Sequence, residues 1–211
     1  MIEFFSSAFV TFLVIIDPPG AAPIFSILTQ GANPAQRRSM AMRSAFVAWI
    51  ILMVFGLLGR PLLDTLGISL ASFRVAGGIL LFYIAFEMVF QQRKDRKESH
   101  AHQLEGNTPE VEDISVFPMG MPMIAGPGAI ASVMLWISRA KTPIDIGLVL
   151  AAMTAVVLLT LVTMLLAAPL MRMIGDKIEA AITRILAVIL SALAAQFVID
   201  GLKDSFSGAL G

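Results

Sequence analysis

Six apolar stretches, with a single charge, Asp17, near the middle of one of them, constrain this chain more than any motif in it. A spanning helix takes roughly 20 mostly apolar residues, and a charge at its centre costs several kcal/mol. By that criterion the segments are Glu3 to about Leu28, Ser44 to Gly59, Leu70 to Phe90, Ser115 to Ile137, Ile144 to Leu170 and Ala180 to about Leu202. Hydrophobic residues make up 57% of the chain and charged ones 14%, with a mean hydropathy of +0.85. Soluble domains sit near 45–50% and 25%. The expected fold is therefore all-α and polytopic, with six transmembrane helices. A cleaved leader needs a basic start, whereas Met1-Ile2-Glu3 runs straight into apolar sequence, so the first segment is expected to stay.

Charge and cysteine content narrow the function. Fifteen basic residues balance fifteen acidic ones, which removes the electrostatic basis for binding nucleic acid. The absence of cysteine removes disulfides, thiol nucleophiles and thiolate metal sites. Arg37, Arg38 and Arg43 follow the first segment, Arg93, Lys94, Arg96 and Lys97 the third, and Arg172 and Lys177 the fifth. The opposite side carries only Arg60, Arg139, Lys141 and Lys203. The positive-inside rule then places both termini away from the cytoplasm. Residues 91–114 read as a polar cytoplasmic linker between a first unit, 1–90, and a second, 115–211. His100 and His102 lie in that linker, without the third ligand that a metal site needs.

The two units are related. A shift of 108 positions lays Asp17-Pro18-Pro19-Gly20-Ala21 over Ala125-Gly126-Pro127-Gly128-Ala129, Pro61-Leu62-Leu63 over Pro169-Leu170-Met171, and Gly67 over Gly175. Two further residues bring Arg74 onto Arg184. Three spans per unit is an odd number, so the halves run in opposite directions across the membrane. Such a 3+3 inverted repeat is the plan of many secondary transporters, although a helical bundle that moves nothing can also be duplicated.

The centre of each half is expected to break. Pro18, Pro19 and Gly20 interrupt the first segment, and Pro118, Gly120, Pro122, Gly126, Pro127 and Gly128 interrupt the fourth. Interrupted backbone at membrane depth must pack in protein or line a wet cavity. New helix starts near Gly20 and Gly128 present amides to an anion, and the preceding half-helices present carbonyls to a cation, which suits a zwitterion. The candidate substrate-binding residues are Asp17, Pro19, Gly20, Ala21, Gly126, Pro127, Gly128 and Ala129. Asp17 lies about 20 Å along the helix from Glu3, near the bilayer midplane, and has three open roles: holding an ammonium, carrying a proton, or capping the helix that follows. Arg74 and Arg184 read as interfacial anchors. Glu87 and Gln196 either line vestibules or are interfacial. Ala187, Ser191 and Ala195 form a packing stripe.

At Asp17-Pro18-Pro19-Gly20-Ala21-Ala22-Pro23, at Gly67-Ile68-Ser69 followed by Phe73-Arg74-Val75-Ala76-Gly77-Gly78, and at Pro118 through Gly128, the chain resembles the MarC and SnatA-type family of six-span membrane proteins. The resemblance covers nearly everything outside the linker. It implies a bacterial inner-membrane protein that moves small neutral amino acids such as glycine or alanine, driven by an H+ or Na+ gradient. It implies no other cofactor. The implied partners are the lipid bilayer and a small zwitterionic substrate, with oligomer formation open. A passive channel or a regulatory membrane subunit is the alternative. An intramembrane hydrolase is disfavoured, because no histidine lies in any span and Asp17 is the one acid near the midplane. No ATP-binding loop motif occurs.

Overall fold

The computed structural model describes residues 1–90 and 113–207, and in the last helix the side chains at 167, 181 and 184–206. The linker residues 91–112, with His100 and His102, lie outside the described residues. What is described is helical throughout: α1 (Ile2–Ile16), α2 (Pro18–Leu28), α3 (Pro34–Thr65), α4 (Leu70–Val89), a wide-turn segment (Ser115–Ile124), α5 (Pro127–Arg139), α6 (Pro143–Leu165) and α7 (Ala167–Ser207). Five of these units are long and apolar enough to cross a membrane, counting α1 and α2 as one. Ser115–Ile124 and α5 form a sixth, bent by 54°. The protein is a polytopic, all-helical membrane protein.

Local chemistry explains most of the boundaries. Proline occupies the first turn of α2, α3, α5 and α6, where a missing amide costs nothing. Asn33 and Gln36 exchange 2.9 Å hydrogen bonds across the start of α3, and Thr142 and Asp145 exchange bonds of 3.0 and 3.2 Å at the start of α6. Ser69 opens α4 by accepting the Ser72 amide at 3.1 Å. Gly67, at φ +68°, makes the turn before it.

Two expected boundaries need correction. The second span does not stop at Gly59: α3 continues through Pro61 to Thr65. The proline removes one hydrogen bond near an exposed helix end, where water or headgroups replace it. The connection expected between Leu170 and Ala180 is helix, because α7 starts at Ala167 and runs unbroken to Ser207. Gly175 therefore lies inside a helix while its counterpart Gly67 makes a turn.

The first span sits deepest. In its most apolar window 72% of residues are buried, against 28% for α3. Phe12, Ile15, Ile16, Leu52, Leu81, Met119, Leu135, Met153 and Phe197 fill the core around it. Phe46, Ile50, Leu57, Ile79, Phe82, Leu158, Val162, Ile185 and Val188 point outward, an apolar belt suited to lipid. α1 and α2 pack on α6, while Ser115–Ile124 and α5 pack on α3. α4 and α7 approach closely. A Cβ on Gly78 would meet Val198 and the Ala194 carbonyl at 2.8–2.9 Å, and one on Gly201 would meet Val75 and the Ala71 carbonyl at the same distances. Rising numbers on α4 face falling numbers on α7, so the pair is antiparallel. The buried stripe of α7 is Ala187, Leu190, Ala194, Phe197 and Gly201; Ser191 and Ala195 flank it.

Polar clusters tie the helix ends. Arg74 donates to the Ser138 carbonyl at 2.7 Å and the Ser138 hydroxyl at 3.1 Å, closing the C-terminus of α5, and pairs with Asp204. Arg139 pairs with Asp200 and lies 3.9 Å from the centre of the Phe197 ring. Elsewhere, Arg43 reaches Asp113 at 2.9 Å, and Asp113 also accepts from the hydroxyl and amide of Ser115. Ser115 and then Arg43 hold the Asp113 carboxyl below its ordinary range.

Thermal unfolding in detergent checks both clusters. Arg74, with only 14% of its side chain exposed, makes charged hydrogen bonds of a kind worth about 1.5–3 kcal/mol, so Arg74→Gln lowers stability by that order. Arg43→Gln breaks an exposed pair and costs less than about 1 kcal/mol. Because the Asp113 pKa is lower folded than unfolded, its contribution is fully present above the unfolded value and disappears as pH falls through the folded one. Asp113→Asn is therefore expected to flatten the acid side of the stability profile and leave the neutral region sloped as in the parent.

Candidate functional site

The first break is a single residue wide. α1 ends at Ile16, Asp17 turns left-handed at φ 58°, and α2 starts at once with Pro18. The Asp17 amide donates to the Leu13 carbonyl at 3.0 Å, and its carboxylate accepts the Gly20 amide at 3.2 Å. Ala21 donates to the Asp17 carbonyl at 3.0 Å. Pro18 and Pro19 have no amide to satisfy, so the start of α2 is saturated by its own residues. From α6, the Thr163 hydroxyl lies between the Pro18 carbonyl at 2.9 Å and its own helix's Thr160 carbonyl at 2.8 Å, so its one proton is shared between the joint and α6. A Cβ on Gly20 would fall 2.2 Å from the Asp17 carboxylate, so this cap requires glycine there. Of the roles open to Asp17, capping is the one its contacts display. Amides near Gly20 were expected to face a ligand; in this geometry the Gly20 amide is occupied.

The second break is wider and ends differently. Phe117 and Met121 adopt extended backbone inside Ser115–Ile124, each followed by a cis proline. The chain then passes through Ala125 and Gly126 into α5. No side chain caps α5, and Pro127 takes its first position. The next amides, of Gly128 and Ala129, thus have no side-chain acceptor of the kind Asp17 supplies in the first half. Gly128 sits where a Cβ would come 2.4 Å from Ile84 and 3.4 Å from Ile15. Glycine here lets α5 begin between α4 and the end of α1.

Beside this start lies a cavity of about 310 Å³. Gly126, Pro127, Gly128 and Ala129 form one wall; Leu80, Tyr83, Ile84 and Glu87 of α4 form another, and Ile15 closes it next to the first break. Four of the eight sequence-derived site residues thus meet in one space. Asp17, Pro19, Gly20 and Ala21 are not on its wall, and the first break contributes Ile15 instead. Glu87, 6% exposed, is the one acidic side chain on the wall. Its position near the end of a span makes it look interfacial in the sequence. The signal for its burial is the spacing Leu80, Tyr83, Ile84, Glu87, which is a single helical face.

The remaining candidates have structural roles or are exposed. Arg74 is held by Ser138 and Asp204, and Arg184 is exposed. Gln196 donates to Asp200 at 2.7 Å. Among the described residues no cluster of three or more His, Cys, Asp or Glu is placed to hold a metal.

Relatives of the chain span nearly its full length. The family model described as "MarC family integral membrane protein" matches residues 2–206. A "UPF0056 membrane protein" of Archaeoglobus fulgidus is 34% identical over 203 residues, covering 96% of this chain and 94% of the relative. The "UPF0056 membrane protein YvbG" of Bacillus subtilis is 32% identical, covering 98% and 97%. A "UPF0056 membrane protein" of Buchnera aphidicola subsp. Schizaphis graminum is 36% identical, covering 96% and 93%. No solved structure matches. With a family model spanning almost every residue and relatives above 30% identity along their whole length, the chain belongs to the MarC family of integral membrane proteins.

Proposed function

We propose that the protein is a secondary transporter of small neutral amino acids, of the size of glycine or alanine, working by alternating access and coupled to an H+ or Na+ gradient. The observation that carries this reading is the cavity between α4 and the second break, where an uncapped helix start and a buried carboxylate face the same small space. The amides of Gly128 and Ala129 suit a carboxylate, and Glu87 suits an ammonium. Gly126, Gly128 and Ala129 present backbone rather than bulk, which favours a small cargo. Asp17, Pro19, Gly20 and Ala21 serve the site from the side, by fixing the joint that holds Ile15 against it.

The inverted-repeat plan supports the mechanism. The first span packs on the fifth as the fourth packs on the second, and the third and sixth run antiparallel. Two halves related in this way exchange conformations, opening a central site to one side and then the other. In this reading the protein sits in a bacterial inner membrane with both termini periplasmic, and it performs no covalent chemistry on its cargo.

Purified protein in liposomes tests the proposal through uptake of labelled glycine, alanine and serine under imposed proton or sodium gradients. Saturable, gradient-dependent flux is expected. Gly128→Val, which fills the cavity, should abolish it. Glu87→Gln should weaken apparent affinity about tenfold or more, matching the loss of a charged hydrogen bond. Flux that is absent under every gradient, or that never saturates, contradicts the transporter reading, the latter outcome pointing to a pore.

A further inference from the structure

A second cavity, of about 330 Å³, lies well away from the first, at the turn where α2 hands over to α3. One wall is apolar, made by Phe25 of α2 and by Met164 and Leu165 at the end of α6; the other is lined by Arg37 and Arg38. The turn that places them is well ordered by its own bonds. Thr29 closes α2 through its hydroxyl on the Phe25 carbonyl at 2.7 Å, and Gly31 turns the chain at φ 80°. From the first turn of α3, Arg37 then donates Nε to the Thr29 carbonyl at 3.2 Å. That single contact orients the side chain and leaves both terminal nitrogens for another partner. Arg38 is exposed beside it. Arg43, Arg74 and Arg139 each pair with an aspartate, whereas among the described residues neither Arg37 nor Arg38 has an acidic partner.

We propose that this cavity binds the phosphate of an anionic membrane lipid, clamped by Arg37 and Arg38, with the acyl chain leaving along Leu165. The chemistry of the pair favours a phosphate over a carboxylate-bearing peptide. Two forked guanidinium groups match tetrahedral oxygens, and basic pockets between transmembrane helices at the headgroup level take lipid phosphates. The apolar wall selects a lipid as the source of that phosphate over a free anion. On the outward side Val162, Leu165 and Leu166 are all 45–51% exposed, a strip along which a chain can lie. Because the site joins the α2–α3 turn to the α6–α7 junction, its occupant would bridge the two halves of the molecule. This inference stands independently of what the protein transports.

Native mass spectrometry and thermal unfolding of the full chain in detergent test it, with phosphatidylglycerol, phosphatidylcholine and inorganic phosphate as the added probes. Phosphatidylglycerol is expected to remain bound at about one copy per chain and to raise the melting temperature by a few degrees, since a ligand of the folded state stabilises it. Phosphatidylcholine and inorganic phosphate should do neither. The double change Arg37→Gln with Arg38→Gln should weaken phosphatidylglycerol binding at least tenfold, while Arg60→Gln, an exposed arginine at the other end of α3, leaves it intact. Arg37→Gln also removes a cap from α2, so Arg38→Gln alone provides the structure-neutral variant, with a loss of several-fold that Arg38→Lys partly restores. Equal binding of the two lipids, undiminished phosphatidylglycerol binding in the double or Arg38→Gln variant, or an inorganic phosphate effect that replaces the lipid effect would overturn the proposal.

Discussion

In hydrocarbon every peptide group needs a hydrogen-bond partner from the protein itself, and the two helix breaks meet this demand in opposite ways. At the first, every amide that the break would orphan is either absent, at Pro18 and Pro19, or taken, by the Asp17 carboxylate and carbonyl. At the second, Ala125 stands where the first half has Asp17, and nothing equivalent caps Gly128 and Ala129. The missing carboxylate at 125 is one of the differences between a sealed joint and an open one, beside Gly126 in place of Pro18. The cavity lies at the open one.

The remaining architecture supports that difference. The sealed joint belongs to the most deeply buried span, and Thr163 from α6 contacts it from behind. The open joint sits between Ile15 and Ile84 at a glycine where a Cβ would displace the Ile84 side chain. α4 supplies the facing wall and is itself fixed by its glycine-mediated contact with α7. Arg74, at the start of α4, reaches over to close the far end of α5. A helix start that faces a cavity is thereby held at both ends of the helix it opens, which is the rigidity that a binding site requires.

Much of this was legible in the sequence, for identifiable reasons. Hydropathy read out the spans because lipid imposes a minimum length and an apolar composition on every one of them. Proline and glycine marked both breaks because there they cluster, whereas a single glycine such as Gly78 serves helix packing instead. Proline position also misled: Pro18 and Pro19 suggest an interruption several residues wide, yet as the first two residues of α2 they cost it nothing, and the break shrinks to Asp17. The long α7 was hidden by Arg172 and Lys177, which read as a loop although helices carry such charges readily outside the bilayer. Glu87 was underrated because proximity to a span end says little about whether a side chain turns inward. The face it shares with Leu80, Tyr83 and Ile84 is readable from the spacing, but the packing of that face against the second break is a long-range contact.

The natural absence of cysteine allows the central claim to be tested at one position. Ala129→Cys places a lone thiol on the cavity wall at a residue only 1% exposed. A small, hydrophilic thiol reagent should modify it in membranes, and glycine or alanine should slow the modification, while Leu52→Cys, in the packed core, stays unreactive. Reactivity at 129 no greater than at 52, or no protection by any small amino acid, would contradict a ligand-accessible site at the second break.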